Sequence, residues 1–165
     1  MKRLLLLLML LTGSVACLND VDFDQDDSYE VVVPYKIAFV YFETINSDFL
    51  DNNDQVTQVT QEFYPNIDDL WSRIYSDITI EFEINNSFLS GFNITYEFRD
   101  ATSVIHAFTL KIDGNSSHAE SVVIPSSIFT QTQKIIVTIT PHNTTLTGKL
   151  NKLSLKSSLS FDVKY

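Results

Sequence analysis

Along most of the chain after residue 29, apolar and polar residues alternate one for one, and a period of two admits strands and little else. Ile78, Ile80, Phe82 and Ile84 alternate with Thr79, Glu81 and Glu83, and Phe92, Ile94, Tyr96 and Phe98 alternate with Asn93, Thr95 and Glu97. Val104, His106, Phe108, Leu110 and Ile112 share one face, as do Ile135, Val137 and Ile139. In the last segment, Leu153, Leu155, Leu159, Phe161, Val163 and Tyr165 share a face that only Ser157 interrupts. A slip of one residue would turn each apolar set to water, so the registers are tightly specified. Residues 35–42 (Tyr-Lys-Ile-Ala-Phe-Val-Tyr-Phe) are apolar on both faces, which reads as a central strand, with Pro34 at its start.

Turn residues punctuate the pattern. Asn85 through Gly91 reads as a loop, Asp100–Ser103 as a short connection and Asp113-Gly114-Asn115 as a tight turn. Pro125-Ser126-Ser127 and Pro141-His142-Asn143 end two further strands. One helix is expected after Pro65, where Asn66 can cap and Asp68 and Asp69 complement the positive end of the helix dipole. Ile67, Leu70, Trp71 and Ile74 then fall at helical spacing, and Trp71 reads as a plug for an open end of the core. Residues 44–62 read as a polar loop. Seven or eight strands with short, hairpin-like links predict an all-β chain folded as an antiparallel β-sandwich, immunoglobulin-like in architecture, with one short helix. A closed barrel is the alternative.

The chain begins MKRLLLLLMLLTGSVAC. Lys2 and Arg3 precede the unbroken apolar run Leu4–Leu11, which is too short to span a bilayer, a task that takes about 20 residues. Small residues then lead to Cys17, the single cysteine of the chain. Gly13-Ser14-Val15-Ala16-Cys17 resembles a lipobox, although Ser14 stands where leucine is commonest. The resemblance implies cleavage before Cys17, a diacylglyceryl thioether on it, and acylation of the new amino terminus. Each buried methylene is worth about 0.8 kcal/mol, so two or three acyl chains anchor durably where one does not. The expected organisation is a signal peptide over 1–16, a lipidated acidic tether over 17–30 and a β-sandwich domain over 31–165.

Residues 18–30 hold six acids and no base, a composition that repels itself and buries little. The alternating Asp20, Asp22, Asp24 and Asp26 suggest a calcium loop, but counting from Asp20 puts Gln25 where the sharp turn needs glycine and Val31 where it needs a bidentate Glu. An acidic cluster behind a lipidated cysteine, followed by an aromatic-rich first strand and a β-rich remainder, resembles the small uncharacterised surface lipoproteins of Bacteroidota. That resemblance implies an outer-membrane, cell-surface address and says nothing of activity.

With 11 Lys+Arg against 21 Asp+Glu the chain carries −10, and loss of Lys2 and Arg3 leaves 9 against 21, or −12. Such a charge disfavours nucleic acid as a partner. The distribution is uneven: Lys134–Tyr165 holds five lysines and one acid, +4, while residues 17–133 carry −16. Lys149, Lys152, Lys156 and Lys164 on or beside the last strands read as protection of an exposed edge. They also read as a positive face for an acidic partner or anionic polysaccharide.

No constellation for chemistry emerges. His106, His118 and His142 lack metal-ligand spacing, with His106 on an apolar strand face and the other two in polar turns. Leu89-Ser90-Gly91 lacks the first glycine of a nucleophile elbow. Glu81, Glu83 and Glu97 could supply a carboxylate pair for glycoside hydrolysis, but at alternate positions they read as the wet face of a sheet. No catalytic residue, metal or cofactor is expected, and lipidation at Cys17 is the one assigned site. The expected function is a non-catalytic, lipid-anchored binding or structural module that meets an envelope protein or a polysaccharide. The alternative, a surface carbohydrate-binding module suggested by 12% aromatics, needs exposed rings among Tyr41, Trp71, Phe92 and Tyr96.

Overall fold

The computed structural model describes residues 30–65, 72–144, 146 and 151–165. The strands are β1 (Val32–Ile45), β2 (Val59–Phe63), β3 (Ile78–Asn86), β4 (Phe92–Arg99), β5 (Val104–Ile112), β6 (Ser116–Ile124), β7 (Lys134–Pro141) and β8 (Lys152–Lys164). A short helix, α1 (Ser126–Gln131), and a 3₁₀ turn (Asn46–Phe49) accompany them among the described residues. Two four-stranded sheets form, in the orders β1-β8-β3-β6 and β2-β7-β4-β5, with every pairing antiparallel. The antiparallel β-sandwich expected from the alternation is therefore present. Successive strands switch sheets at every link except β4–β5, and this order is that of a jelly roll. Most links expected to be hairpins are thus crossovers between sheets, because a short turn limits distance but does not decide which strands pair.

The core lies between the sheets. Ile78, Ile80, Phe82 and Ile84 of β3 and Leu153, Leu155, Leu159 and Val163 of β8 are buried from one side; Phe92, Ile94, Tyr96 and Phe98 of β4 and Ile135, Val137 and Ile139 of β7 from the other. Each such side chain contributes about 1.5–3 kcal/mol when fully buried. Phe82 touches Tyr96 and Phe108 across the sandwich, with ring centroids 5.4 and 5.9 Å away. Tyr96 and Phe108 stack at 5.0 Å.

Four expectations need correction. β1 is an edge strand, not a central one. Phe39 and Val40 together oppose Ser157 of β8, a bulge that switches the inward face from Tyr35 and Ile37 before it to Phe42 and Thr44 after it. The run looks apolar on both faces because it changes phase in the middle. Ser157, the one interruption in the apolar face of β8, serves that bulge: its Oγ accepts the Val40 N–H at 3.0 Å and donates to the Val40 carbonyl at 3.1 Å.

Second, residues 44–62 are structured. The Ile45 N–H donates to Asp48 at 2.8 Å, and Asp51 accepts the Asn53 and Gln55 N–H groups at 2.8 Å each, folding a tight loop that leads to β2. Third, Pro125 opens α1 rather than a simple turn. Ile128 and Phe129 sit on its inner side, and Phe129 packs against Phe39 and Phe98 at 5.9 and 5.4 Å. Phe49 of the 3₁₀ turn packs against Phe92 at 5.2 Å, near the opposite end of β4. The helix expected after Pro65, with Trp71 as plug, lies largely outside the described residues; Phe129 and Phe49 do the plugging within them. Fourth, the lysines of β8 guard no edge, since β8 runs between β1 and β3.

Gly114 turns the chain from β5 to β6. A Cβ there would collide with the Leu89 carbonyl, and Asn115 beside it has φ of 48°, so the turn requires its glycine.

Candidate binding surfaces

The outer face of the first sheet gathers charges that are far apart in sequence. β1 supplies Lys36, Tyr41 and Glu43, β8 supplies Lys152, Ser154, Lys156 and Ser158, and β3 supplies Glu81, Glu83 and Asn85. Lys36 pairs with Glu81, and Lys152 meets Glu43 at 3.1 Å. Lys156 sits in register between Tyr41 and Glu83. The Lys36 ammonium holds the Glu81 carboxyl below the usual carboxylate range, with help from the Ser158 hydroxyl. Of the C-terminal lysines expected to form a positive face, Lys152 meets Glu43 and Lys156 lies in register with Glu83, so acids of the neighbouring strands are interspersed among them.

The outer face of the second sheet is plainer. Thr60, Thr138, Thr95 and Thr109 form one row across all four strands, their hydroxyls paired at 3.5 Å (Thr60–Thr138) and 3.0 Å (Thr95–Thr109). The next row holds Glu62 and Glu97, which meet Lys134 at 3.1 Å and Arg99 at 3.2 Å. Glu62 is held below the usual carboxylate range by the Tyr64 hydroxyl and by Lys134. Glu81 and Glu83 therefore face away from Glu97, on opposite outer surfaces, and the three acids do not converge.

The histidines are also separate. His106 is half-buried on β5 between Phe98 and Phe108. His118 lies on β6, not in a turn, because the Gly114 turn is tight enough for the strand to begin at Ser116; its Nε2 meets Glu120 at 3.0 Å. His142 follows β7 and meets Asn93 at 3.0 Å. Among the described residues no three His, Cys, Asp or Glu side chains are placed to share a metal ion.

Of the rings proposed to stack on sugar, Phe92 and Tyr96 are fully buried, Tyr41 is 63% exposed, and Trp71 lies outside the described residues. The Tyr96 hydroxyl is buried and has no hydrogen-bond partner among the described residues, and burial pushes its pKa well above the ordinary tyrosine value. Exposed rings occur where alternation did not point to them. Tyr75 and Tyr165 are more than half exposed, and the short segment carrying Tyr75 pairs with the end of β8 through Ile74 and Val163. Arg73 lies 5.6 Å over the Tyr165 ring and Lys164 lies 5.3 Å over the Tyr75 ring. Tyr35 and Tyr165 join hydroxyls at 2.7 Å. The available signal was the lack of an apolar partner set around Tyr75, a weak one.

An apolar cleft of about 220 Å³ opens between β1 and β2, lined by Ile37, Phe39, Phe63, Tyr64, Ile135 and Leu159 among others. A polar hollow of about 270 Å³ is framed by Asn85, Ser87, Asn115, Ser117 and Lys152. Cys17 and the acids Asp20–Asp27 lie outside the described residues.

No family model and no curated protein matches the chain. Solved structures align with it over most of its length. A chain of the infectious bursal disease virus particle aligns with a TM-score of 0.45 and 16% identity over 80% of this chain, which spans 31% of that one. A subunit of the disulfide-linked pili that form Bacillus endospore appendages aligns at 0.37 and 12% identity, covering 82% of this chain and 92% of its own. A chain of Desmodium yellow mottle tymovirus aligns at 0.39 and 10% identity, covering 83% and 82%.

Proposed function

We propose that this chain is the precursor of a lipid-anchored lipoprotein, and that its sandwich is a non-catalytic binding or structural module at the outer membrane. The observation that carries this reading is the sequence Lys2-Arg3, Leu4–Leu11 and Gly13–Cys17: a positive start, a short apolar run and small residues ending at a lone cysteine. Separation of Glu81 and Glu83 from Glu97 on opposite outer faces favours the non-catalytic part, since glycoside hydrolysis needs two carboxylates within roughly 5–10 Å. The acids behind Cys17 favour display on the cell surface, with an envelope protein or a polysaccharide as partner. Cells fed an alkyne-tagged fatty acid should label the chain, and Cys17→Ala should abolish the label and accumulate the uncut precursor. An unlabelled, normally processed wild-type chain would refute the anchor.

A second reading, a surface carbohydrate-binding module, is favoured by the exposed Tyr75 and Tyr165 with cations over their rings. Binding on a glycan array that is lost in the Tyr75→Ala, Tyr165→Ala double variant would select it over the structural role.

A further inference from the structure

Among the described residues four strands, β1, β6, β2 and β5, are paired on one edge only, and their other edges are unequally guarded. β1 carries Pro34, Lys36 and the bulge at Phe39–Val40. β5 is interrupted opposite Phe98–Arg99 and carries Lys111. β2 is only five residues long. Proline, lysine, bulges and brevity all discourage a further strand from pairing. β6 has none of them. It pairs with β3 without interruption from Ile78–Ile124 to Asn86–Ser116, and Ser116–Ile124 contains no proline, lysine or arginine. Its one charge, Glu120, is on the inner side of the strand, a place that by itself deters pairing. Here the carboxylate is already met by His118 two residues away, at 3.0 Å. The outward residues Ser117, Ala119 and Ser121 are small.

We propose that β6 is a self-association edge, along which a second copy of this chain adds its own β6 antiparallel to make an eight-stranded sheet. Charge selects the register. With Ala119 at the twofold axis, His118 of each copy lies opposite Glu120 of the other, and Ser117 lies opposite Ser121. Directly opposed Cβ atoms are about 4.5–5.5 Å apart, so each carboxylate gains an imidazole across the junction while small side chains meet at the axis. Centring the pair on Glu120 would instead oppose two carboxylates, which is unfavourable. Both copies are acidic, at −10 for the whole chain, so long-range repulsion opposes the contact and added salt strengthens it.

The test uses the full chain with Cys17→Ser, so that an introduced thiol is the only one. Ala119→Cys should form a disulfide-linked dimer under mild oxidation, because opposed Cβ atoms at the axis lie within disulfide reach. Val123→Cys, on the same edge and 60% exposed in the parent, should stay monomeric because its counterpart is Asn115. Equal cross-linking at both positions, or none at Ala119→Cys, overturns the proposal. As an independent measure, Ala119→Lys sets two ammonium groups against each other. It should weaken the association seen by sedimentation velocity about tenfold, with the melting temperature unchanged at dilutions where both proteins are monomeric. Association unaffected by that variant also overturns it.

Discussion

β1 and β3 both pair with β8, yet their sequences encode their places in opposite ways. β3 alternates strictly over Ile78–Asn86, is buried on its inner face at every second residue, and is paired on both edges. β1 is longer and more apolar, but among the described residues it is paired on one edge only, and it changes phase at Phe39–Val40. The contrast teaches that apolar residues on both sides of a strand mark two different things. One is a strand covered on both faces; the other is a strand whose inward face moves by one residue at a bulge. Pro34 was the discriminating sign, because a residue without an N–H belongs on an edge.

The sharpest break of the comparison is a deletion in each strand. Removing Glu81 from β3 turns the residues beyond it to the wrong face, and the chain should not fold, as read by loss of amide dispersion in NMR spectra. Removing Val40 from β1 leaves Ile37, Phe39 and Phe42 on one face and Ala38 and Tyr41 on the other, a regular strand without a bulge. That variant should fold with reduced stability; if both deletions behave alike, the bulge is not what sets the phase.

Next in size, Phe82→Ala should cost about 3–5 kcal/mol in urea unfolding, since the ring is fully buried between Tyr96 and Phe108. Ile37→Ala on the half-buried β1 should cost clearly less. Ser157→Ala should cost about 1–3 kcal/mol, because the Val40 N–H and carbonyl lose their partner at the bulge. Were that substitution neutral, the bulge would be held by packing alone.

The smallest effect concerns charge. Glu81 is depressed below the usual carboxylate range by Lys36, so the pair stabilises the fold above the unfolded carboxylate pKa and ceases to as pH falls through the folded value. Lys36→Ala should lower the melting temperature slightly near pH 7, with the gap closing at about pH 2 as Glu81 takes up its proton. A gap that persists in acid would assign the loss to the packing of the lysine stem instead.

Much of the fold was legible because burial acts residue by residue. The inward sets of β3, β4, β7 and β8 are the apolar positions of the alternation. β2 was missed because Val-Thr-Gln-Glu-Phe is half-exposed on an edge and leaves almost no alternation to read. α1 was missed because six residues hold less than two helical turns, and its place is secured by Phe129 docking on Phe39 and Phe98 rather than by propensity. The lysines of β8 suggested an edge or a positive face because the acids beside them, Glu43 next to Lys152 and Glu83 next to Lys156, are distant in sequence.

By itself the sequence determined that this chain is made of strands, which side of most of them faces inward, and where glycine must turn them, because those depend on neighbours one to four residues away. Only the tertiary structure decided the jelly-roll order, the edge position of β1, the unguarded edge of β6 and the pairing of Lys152 of β8 with Glu43 of β1. Those are contacts between segments tens of residues apart, and alternation, being the same in every strand, does not say which strand lies next to which.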